Sequence, residues 1–151
     1  MATARSIRGG ELDELLELYR MLNPDDPVLD PEADAVADQF ETLLADEHYE
    51  VAVIEHDDVL VASCVLSITP NLTRGARPWA LIENVVTHED YRGQGFGSQV
   101  LEYAAGVAAK AGCYKVMLLT GSDEAWKLDF YENCGFDRED KTGFVRYLDD
   151  E

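Results

Sequence analysis

A glycine-rich segment at residues 92–98 has the composition of an anion-binding loop. It reads Arg-Gly-Gln-Gly-Phe-Gly-Ser between a predicted strand and a predicted long helix. Glycines let the backbone bend so that successive N–H groups point into one concavity, and the helix dipole adds partial positive charge there. The guanidinium of Arg92 can bind two phosphate oxygens at once. The segment therefore predicts a pyrophosphate site made of Arg92, Gly93, Gln94, Gly95, Phe96, Gly97 and Ser98.

The spacing of these glycines excludes two common phosphate-binding loops. A P-loop requires Gly-Lys-Ser/Thr after its spacer, and no lysine follows Gly97. A dinucleotide-binding fold requires G-x-G-x-x-G, whereas the glycines here are two residues apart throughout. A helix that is merely entered through a flexible glycine turn, with no ligand, remains the alternative interpretation.

Two motifs in this chain resemble those of the GNAT N-acetyltransferase superfamily. The pattern Arg-x-x-Gly-x-Gly at 92–97 is similar to its acetyl-CoA pyrophosphate loop. Downstream, residues 130–136 read Phe-Tyr-Glu-Asn-Cys-Gly-Phe, similar to the segment that ends the last helix of such chains and starts the next strand. The resemblance covers roughly residues 50–148. It implies one acetyltransferase domain over residues 1–151, with acetyl-CoA as the acetyl donor and a primary amine as the acceptor.

Transfer of an acetyl group from a thioester to an amine needs a neutral amine, donors for the developing oxyanion and a proton for the departing thiolate. The resemblance places Tyr131 beside the sulfur, and a phenol with a pKa of about 10 is protonated at pH 7. We therefore predict that Tyr131 is the general acid of a direct attack. Lys127, one helical turn earlier, is predicted to reach a cofactor phosphate or the tyrosine oxygen. The alternatives are a core tyrosine and a solvated lysine.

Glu83 is the candidate base, because it is a charged residue inside the apolar run 80–86 and a buried carboxylate requires a reason. Strand alternation predicts that Glu83 shares a face with Leu81 and Val85, with Asn84 on the opposite face. A structural carboxylate that accepts backbone hydrogen bonds is the alternative. The resemblance further implies that main-chain groups of the same strand bind the pantetheine arm, at Val85, Val86 and Thr87.

Within the superfamily, the chain shows a local likeness to the glucosamine-6-phosphate N-acetyltransferase family. The segments at 82–84, 112–115 and 130–136 are similar to three segments of that family. Residues 119–121, Leu-Thr-Gly, depart from it, because that family carries an acidic segment there that is implicated in catalysis. The acceptor therefore stays open among a small-molecule amine, a protein or peptide amine and, as a different class, a non-catalytic acyl-CoA-binding module.

The predicted elements form an α/β fold whose mixed, mostly antiparallel sheet is flanked by helices. Strands are predicted at 6–8, 51–54, 59–68, 79–87, 114–119 and 144–148. Helices are predicted at 10–22, from about 32, at 97–111 and up to 132, the last capped by residues 121–123.

The amino-acid composition limits the partners and the cellular environment that we expect for this protein. The formal net charge is −19, from 31 acidic and 12 basic residues. Self-repulsion of this size is screened at molar salt, so the chain resembles a protein of a halophile, with an ordinary acidic protein as the alternative. The same charge disfavours nucleic-acid binding. The three cysteines show no disulfide or zinc spacing, and the histidines do not cluster, so no metal is expected. The sequence shows neither a signal region nor an apolar stretch long enough to cross a membrane. We therefore expect a cytoplasmic protein that is not bound to a membrane and can form a homodimer.

Overall fold

The computed structural model describes residues 2–149. Residues up to Leu118 form one compact unit, and those from Leu119 form another. The first unit contains the strands β1 (Ala2–Ser6), β2 (Tyr49–His56), β3 (Val59–Thr69), β4 (Trp79–Thr87) and β5 (Val116–Leu118), and the helices α1 (Leu12–Leu22), α2 (Asp34–Ala45), α3 (Thr73–Ala76) and α4 (Phe96–Lys110). The second contains helix α5 (Ala125–Asn133). No described helix is both long and apolar enough to cross a membrane.

The sheet has the strand order β1-β2-β3-β4-β5. Its first four strands pair antiparallel, and β5 pairs parallel with β4, which confirms the predicted mixed, mostly antiparallel sheet. The β5 pairing runs only from Ala80↔Val116 to Ile82↔Leu118. Within this unit, β4 beyond Ile82 is therefore paired along its β3 edge alone.

Apolar residues cover both faces of this sheet. On one face, Leu15 and Leu18 of α1 and Phe40 of α2 pack with strand residues such as Val51 and Val65. Val100, Leu101, Ala104 and Ala108 of α4 are almost completely buried, as their spacing along one helical face predicts. The α4 helix ends at Gly112, which has a φ of +87° and donates its N–H to Ala109 O at 3.1 Å. This is a left-handed glycine C-cap.

A β-bulge interrupts the pairing of β3 with β4. Val65 pairs with Glu83 and Ser63 with Val86, so two residues of β4 oppose the single residue Cys64. Asn84, inside the bulge, has a φ of +55°. The extra residue shifts the alternation by one position, so Glu83 shares its face with Val86. The prediction that it shares a face with Val85 was wrong, because strict alternation assumes an uninterrupted ladder.

The first and the last strand of the first unit differ most from their predicted bounds. The first strand is Ala2–Ser6 and not residues 6–8, because small and polar residues there pair with β2 although they form no apolar run. Strand β5 is three residues long and only half-buried, whereas a buried strand at 114–119 was predicted. The predicted loop at 69–78 contains the four-residue turn α3.

The second unit contradicts two further predictions. Residues 144–148 form no strand, and the side chains of Phe144, Val145, Tyr147 and Leu148 are 63% to 90% exposed. Four of these five residues are aromatic or aliphatic, which favours a strand, but β propensity stabilises one only against a neighbouring edge. Helix α5 has Glu124 as its N-cap, not a residue of 121–123. Ser122 acts one step earlier, where its Oγ accepts the Glu124 N–H at 3.2 Å.

Candidate active site

A short turn connects the end of β4 to the loop that follows it. The Nδ1 atom of His88 accepts the Asp90 N–H at 3.1 Å, and the Tyr91 N–H donates to His88 O at 2.9 Å. These bonds fix a 3₁₀ turn at Glu89–Tyr91, directly before Arg92. Sequence reasoning missed the cap by His88, because a histidine that caps a turn has no distinctive spacing.

Residues 92–95 form an exposed loop, defined here as the phosphate loop, that enters α4. Gly93 and Gly95 have φ values of +80° and +85°, a conformation that L side chains rarely adopt. Gly95 is also the N-cap of α4, and its carbonyl accepts the Gln99 N–H at 3.1 Å. A Cβ placed at either glycine would meet no atom within 4 Å. The loop therefore presents bare backbone at a helix N-terminus and has room beside it, which fits a bound pyrophosphate.

The remaining predicted loop residues divide into exposed and buried groups. Phe96 and Gly97 are buried, whereas Arg92, Gln94 and Ser98 are exposed. The Nε atom of Arg92 donates to Thr87 O at 3.3 Å, so the guanidinium stays at the base of the loop. Phe96 can contribute its backbone to a ligand, but its side chain is anchored in the core.

The open edge of β4 begins next to this loop. Its residues Val85 and Thr87 have half-buried side chains, and Val86 is buried. Within this unit β5 pairs only as far as Ile82, so the β4 main chain beyond it has no strand on that edge. Val86 and Thr87 pair with β3, and Val85 lies in the bulge. Thr87 O also accepts the Arg92 Nε–H. Apolar residues at such an edge can bind a ligand through their N–H and C=O groups.

Glu83 is exposed, whereas the sequence predicted a buried carboxylate. The physical reason is its position, because Glu83 is the first residue of β4 beyond the β5 pairing and the last before the bulge, where the regular ladder ends. Burial of the ring, and next the negative charge of nearby Glu83, raise the pKa of the Tyr49 phenol. A protonated phenol next to an exposed carboxylate is a polar pair that can face an amine.

Asn84 and Tyr19 form a second polar contact beside this pair. Burial is the main cause that raises the pKa of the Tyr19 phenol, and a hydrogen bond with the Asn84 side chain acts in the opposite direction. Asn84 thus reaches the α1 side of the sheet, which contradicts the predicted opposite face. Both tyrosines were missed in the sequence analysis. Tyr49 approaches Glu83 only through the register of β2, β3 and β4. Tyr19 reaches Asn84 only through the packing of α1 on the sheet.

The predicted acid lies in the second unit, on α5. Tyr131 is half-buried, and its ring centre lies 5.1 Å from that of Phe130. The Phe136 N–H donates to Tyr131 O at 3.1 Å and the Gly135 N–H to Glu132 O at 3.0 Å, which forms a Schellman cap with Gly135 at a φ of +97°. The second motif therefore ends the helix through its glycine, as predicted, but no strand follows it in the described residues up to 149.

Lys127 precedes Tyr131 by one turn of α5. It is half-buried, and its Nζ atom lies 5.4 Å from the centre of the Trp126 ring. This contact is a cation–π interaction, which holds the ammonium at the surface of the helix without neutralising it.

Known proteins with the same features place the chain in a family. A family model described as the acetyltransferase (GNAT) family matches residues 15–136. A glucosamine 6-phosphate N-acetyltransferase of Trypanosoma brucei brucei is 40% identical over 77 residues, which cover 51% of this chain and 50% of that protein. The chain spans about half the length of the curated relatives it matches.

Solved structures agree with this match. An Agrobacterium tumefaciens structure named as an acetyltransferase is 46% identical, covers 96% of this chain and 99% of its own, and has a TM-score of 0.90. The glucosamine-6-phosphate N-acetyltransferase of Arabidopsis thaliana shares the fold at 24% identity, covers 99% of both chains and has a TM-score of 0.83. Sheet order, loop and family match together confirm the resemblance carried by the two motifs: this chain belongs to the acetyltransferase (GNAT) family.

Proposed function

We propose that this chain is an acetyl-CoA-dependent N-acetyltransferase that acts on a primary amine of a small molecule. The observation that carries the proposal is the exposed phosphate loop at the N-terminus of α4, beside the open edge of β4, in a chain of this family. Acetyl-CoA, when bound, supplies an activated acyl thioester. The remaining chemistry is binding, orientation and proton transfer by this chain's own residues.

In this proposal, the donor is held along β4 and at the start of α4. The backbone amides of residues 93–98 and the guanidinium of Arg92 bind the pyrophosphate. The main chain of Val85, Val86 and Thr87 binds the pantetheine arm, and Lys127 binds a phosphate or the Tyr131 oxygen. Each group binds through charge or through backbone hydrogen bonds, which suits a ligand that is polar along its whole length.

A direct attack on the thioester is favoured over an acyl-cysteine route through Cys64 or Cys113. A cysteine nucleophile must be a thiolate, and burial raises the pKa of the Cys64 thiol to about 12. Burial also raises the pKa of Cys113. Both thiols are therefore protonated at neutral pH. We propose that Glu83, directly or through a water molecule, removes a proton from the acceptor ammonium and that Tyr131 protonates the departing sulfur.

Replacing Glu83 by Gln tests the proposed base. The amide keeps the shape but cannot accept the proton, so kcat/KM is expected to fall by about 10²-fold at pH 7, the lower end for general acid–base catalysis. The loss should shrink as the pH rises, because the acceptor amine then arrives already deprotonated. Initial rates between pH 6 and 10 measure this.

Glu50→Gln is the matched control, because Glu50 also lies on the sheet but accepts a hydrogen bond from Tyr103 at 3.3 Å. It should change stability and leave the pH–rate profile in place. If Glu83→Gln lowers the melting temperature and leaves the pH–rate profile unchanged, Glu83 is a structural carboxylate and the base assignment fails.

The acceptor class is best tested with amino sugars, because one relative is named for glucosamine 6-phosphate. Glucosamine and glucosamine 6-phosphate differ only in a phosphate, so their ratio of kcat/KM reports whether the acceptor site contains a cation. An exposed carboxylate at Glu83 attracts the ammonium that both sugars carry.

The surface charge supports the proposal of a halophilic origin. Among the described residues no acidic side chain is buried, and only Glu11, Glu50 and Glu55 are even half-buried. Melting temperature should therefore rise steeply from dilute buffer to 1 M KCl, where the Debye length falls to about 3 Å. Equal osmolality of sucrose is the control, since it does not screen charge. If the melting temperature does not change with KCl, the acidity is that of an ordinary acidic protein and the proposal of a halophilic origin fails.

A homodimer in the cytoplasm, where acetyl-CoA is available, remains part of the proposal. The exposed apolar side chains at 144–148 support a partner of the same chain, because two copies bury such a segment symmetrically. Sedimentation velocity of the salt-titration samples tests this, and a monomer at all salt concentrations would contradict it.

A further inference from the structure

Four aromatic side chains surround the two ends of the phosphate loop. His56, His88, Tyr91 and Phe96 are called here the aromatic cluster. The ring centres of His56 and Phe96 are 5.1 Å apart, and those of His56 and Tyr91 are 6.2 Å apart in an edge-on arrangement. His88 meets Tyr91 edge-on at 5.2 Å, and Tyr91 lies 6.5 Å from Phe96. These are the separations at which aromatic pairs attract beyond their buried area.

The cluster joins three separate elements. His56 is the last residue of β2, before the tight turn at Asp57 and Asp58. Tyr91 ends the 3₁₀ turn, and Phe96 is the first residue of α4 and only 5% exposed. Tyr91 directly precedes the phosphate loop and Phe96 directly follows it, so one imidazole contacts both ends of the loop.

The imidazole of His56 is held as a packing group. Its Nε2 atom lies 3.3 Å from Asp57 Oδ2, which makes Nε2 the donor of this contact. Nδ1 is buried and has no hydrogen-bond partner among residues 2–149. A phenyl ring at this position would keep the shape and remove a buried polar atom that is otherwise unsatisfied.

We propose that His56 is a positioning residue for coenzyme A: its ring fixes the separation of the two ends of the phosphate loop. This inference rests on the proposed binding of pyrophosphate at the loop. A loop with two glycines in four residues loses much backbone freedom when it is ordered on a ligand. Fixing both of its ends in advance removes part of that cost from the binding step, which is the general effect of preorganisation.

The test compares three substitutions by calorimetric titration with coenzyme A. His56→Ala removes the ring and should weaken the affinity about 10-fold, the scale of one or two ordered groups. His56→Phe keeps the ring and should bind within about twofold of the wild type. His48→Ala, at an exposed histidine before β2, is the matched control and should leave affinity unchanged.

Steady-state kinetics add a readout that general destabilisation does not move. His56→Ala should raise KM for acetyl-CoA while kcat at saturation stays near that of the wild type, at a temperature well below melting. If His56→Ala does not fold, His56→Leu replaces it, because leucine fills the space without a ring. Undiminished affinity in the ring-deleted variant would overturn the proposal, as would an equal loss in His56→Phe.

The failure of this inference can be told from failure of the proposed function. A Gly95→Val variant that binds coenzyme A normally would remove the loop assignment itself. If Gly95→Val loses binding and His56→Ala retains it, the loop binds the cofactor but the aromatic cluster does not position it.

Discussion

Substitution of Gly95 by valine is expected to weaken coenzyme A binding by at least about 10²-fold, since two or more charge-assisted backbone hydrogen bonds are lost at once. The Cβ at this position points into open space, where the phosphates must approach the backbone. Valine also disfavours the φ of +85° found here, at a cost of about 1–3 kcal/mol in stability. Calorimetric titration with coenzyme A measures the affinity, and thermal melting measures the strain.

The chain offers a control that separates these two effects. Gly112 lies at the other end of α4 with a φ of +87°, and its Cβ would also meet no atom within 4 Å. Gly112→Val should therefore lose similar stability but keep its affinity for coenzyme A. If Gly95→Val keeps its affinity for coenzyme A, the assignment of the phosphate loop as the pyrophosphate site is wrong. An equal loss of affinity in both variants would show that strain, and not the site, is responsible.

Substitution of Tyr131 by phenylalanine is expected to lower kcat and kcat/KM together, by about 10²-fold or more for a lost general acid. The hydroxyl is proposed to act only as the sulfur gains charge, so it contributes to the transition state and not to cofactor binding. The ring remains, and with it the contact to Phe130 and the backbone cap at Gly135. Affinity for coenzyme A should therefore change little.

Tyr147→Phe is the matched control in the same unit, because that tyrosine is 85% exposed and has no proposed role in cofactor binding or proton transfer. Two results would count against the assignment of Tyr131. Unchanged turnover would make it a packing residue whose proton comes from solvent. Lost affinity with normal turnover at saturation would make it a binding contact. Slow hydrolysis of acetyl-CoA serves as the readout until an acceptor is found.

The phosphate loop could be predicted because its chemistry is local. Strand β4 occupies Trp79–Thr87 as predicted, and α4 begins within one residue of the predicted start. An apolar strand followed by glycines and then by an amphipathic helical pattern is compatible with few other local structures. Each glycine is required by the backbone conformation at its own position and not by distant contacts.

The acceptor side could not be predicted in the same way. Asn84 gives no sequence signal for a bulge, yet the bulge decides which neighbours share the face of Glu83. Tyr49 approaches Glu83 only through the register of three strands. Strand register follows from tertiary packing, so periodicity along one strand cannot reveal it.

The C-terminal segment shows the opposite kind of error, because local pattern predicted a strand that tertiary structure does not form. Four of the five residues at 144–148 are aromatic or aliphatic, which satisfies the local preferences of a strand, and the described structure contains none there. These residue types do favour a strand, but their propensity does not tell whether the edge of another strand is available for pairing.

The central claim is acetyl transfer to an amine, and one measurement tests it most directly. Purified protein in multimolar KCl is incubated with acetyl-CoA and separately with glucosamine, glucosamine 6-phosphate, an aliphatic polyamine and a peptide with a free N-terminus. Released thiol is quantified, and the products are identified by mass spectrometry. The account predicts thiol release matched mole for mole by an acetylated amine, with the rate strongly reduced in Tyr131→Phe. Tight binding of acetyl-CoA with no acetylated product from any acceptor would contradict it and leave an acyl-CoA-binding module.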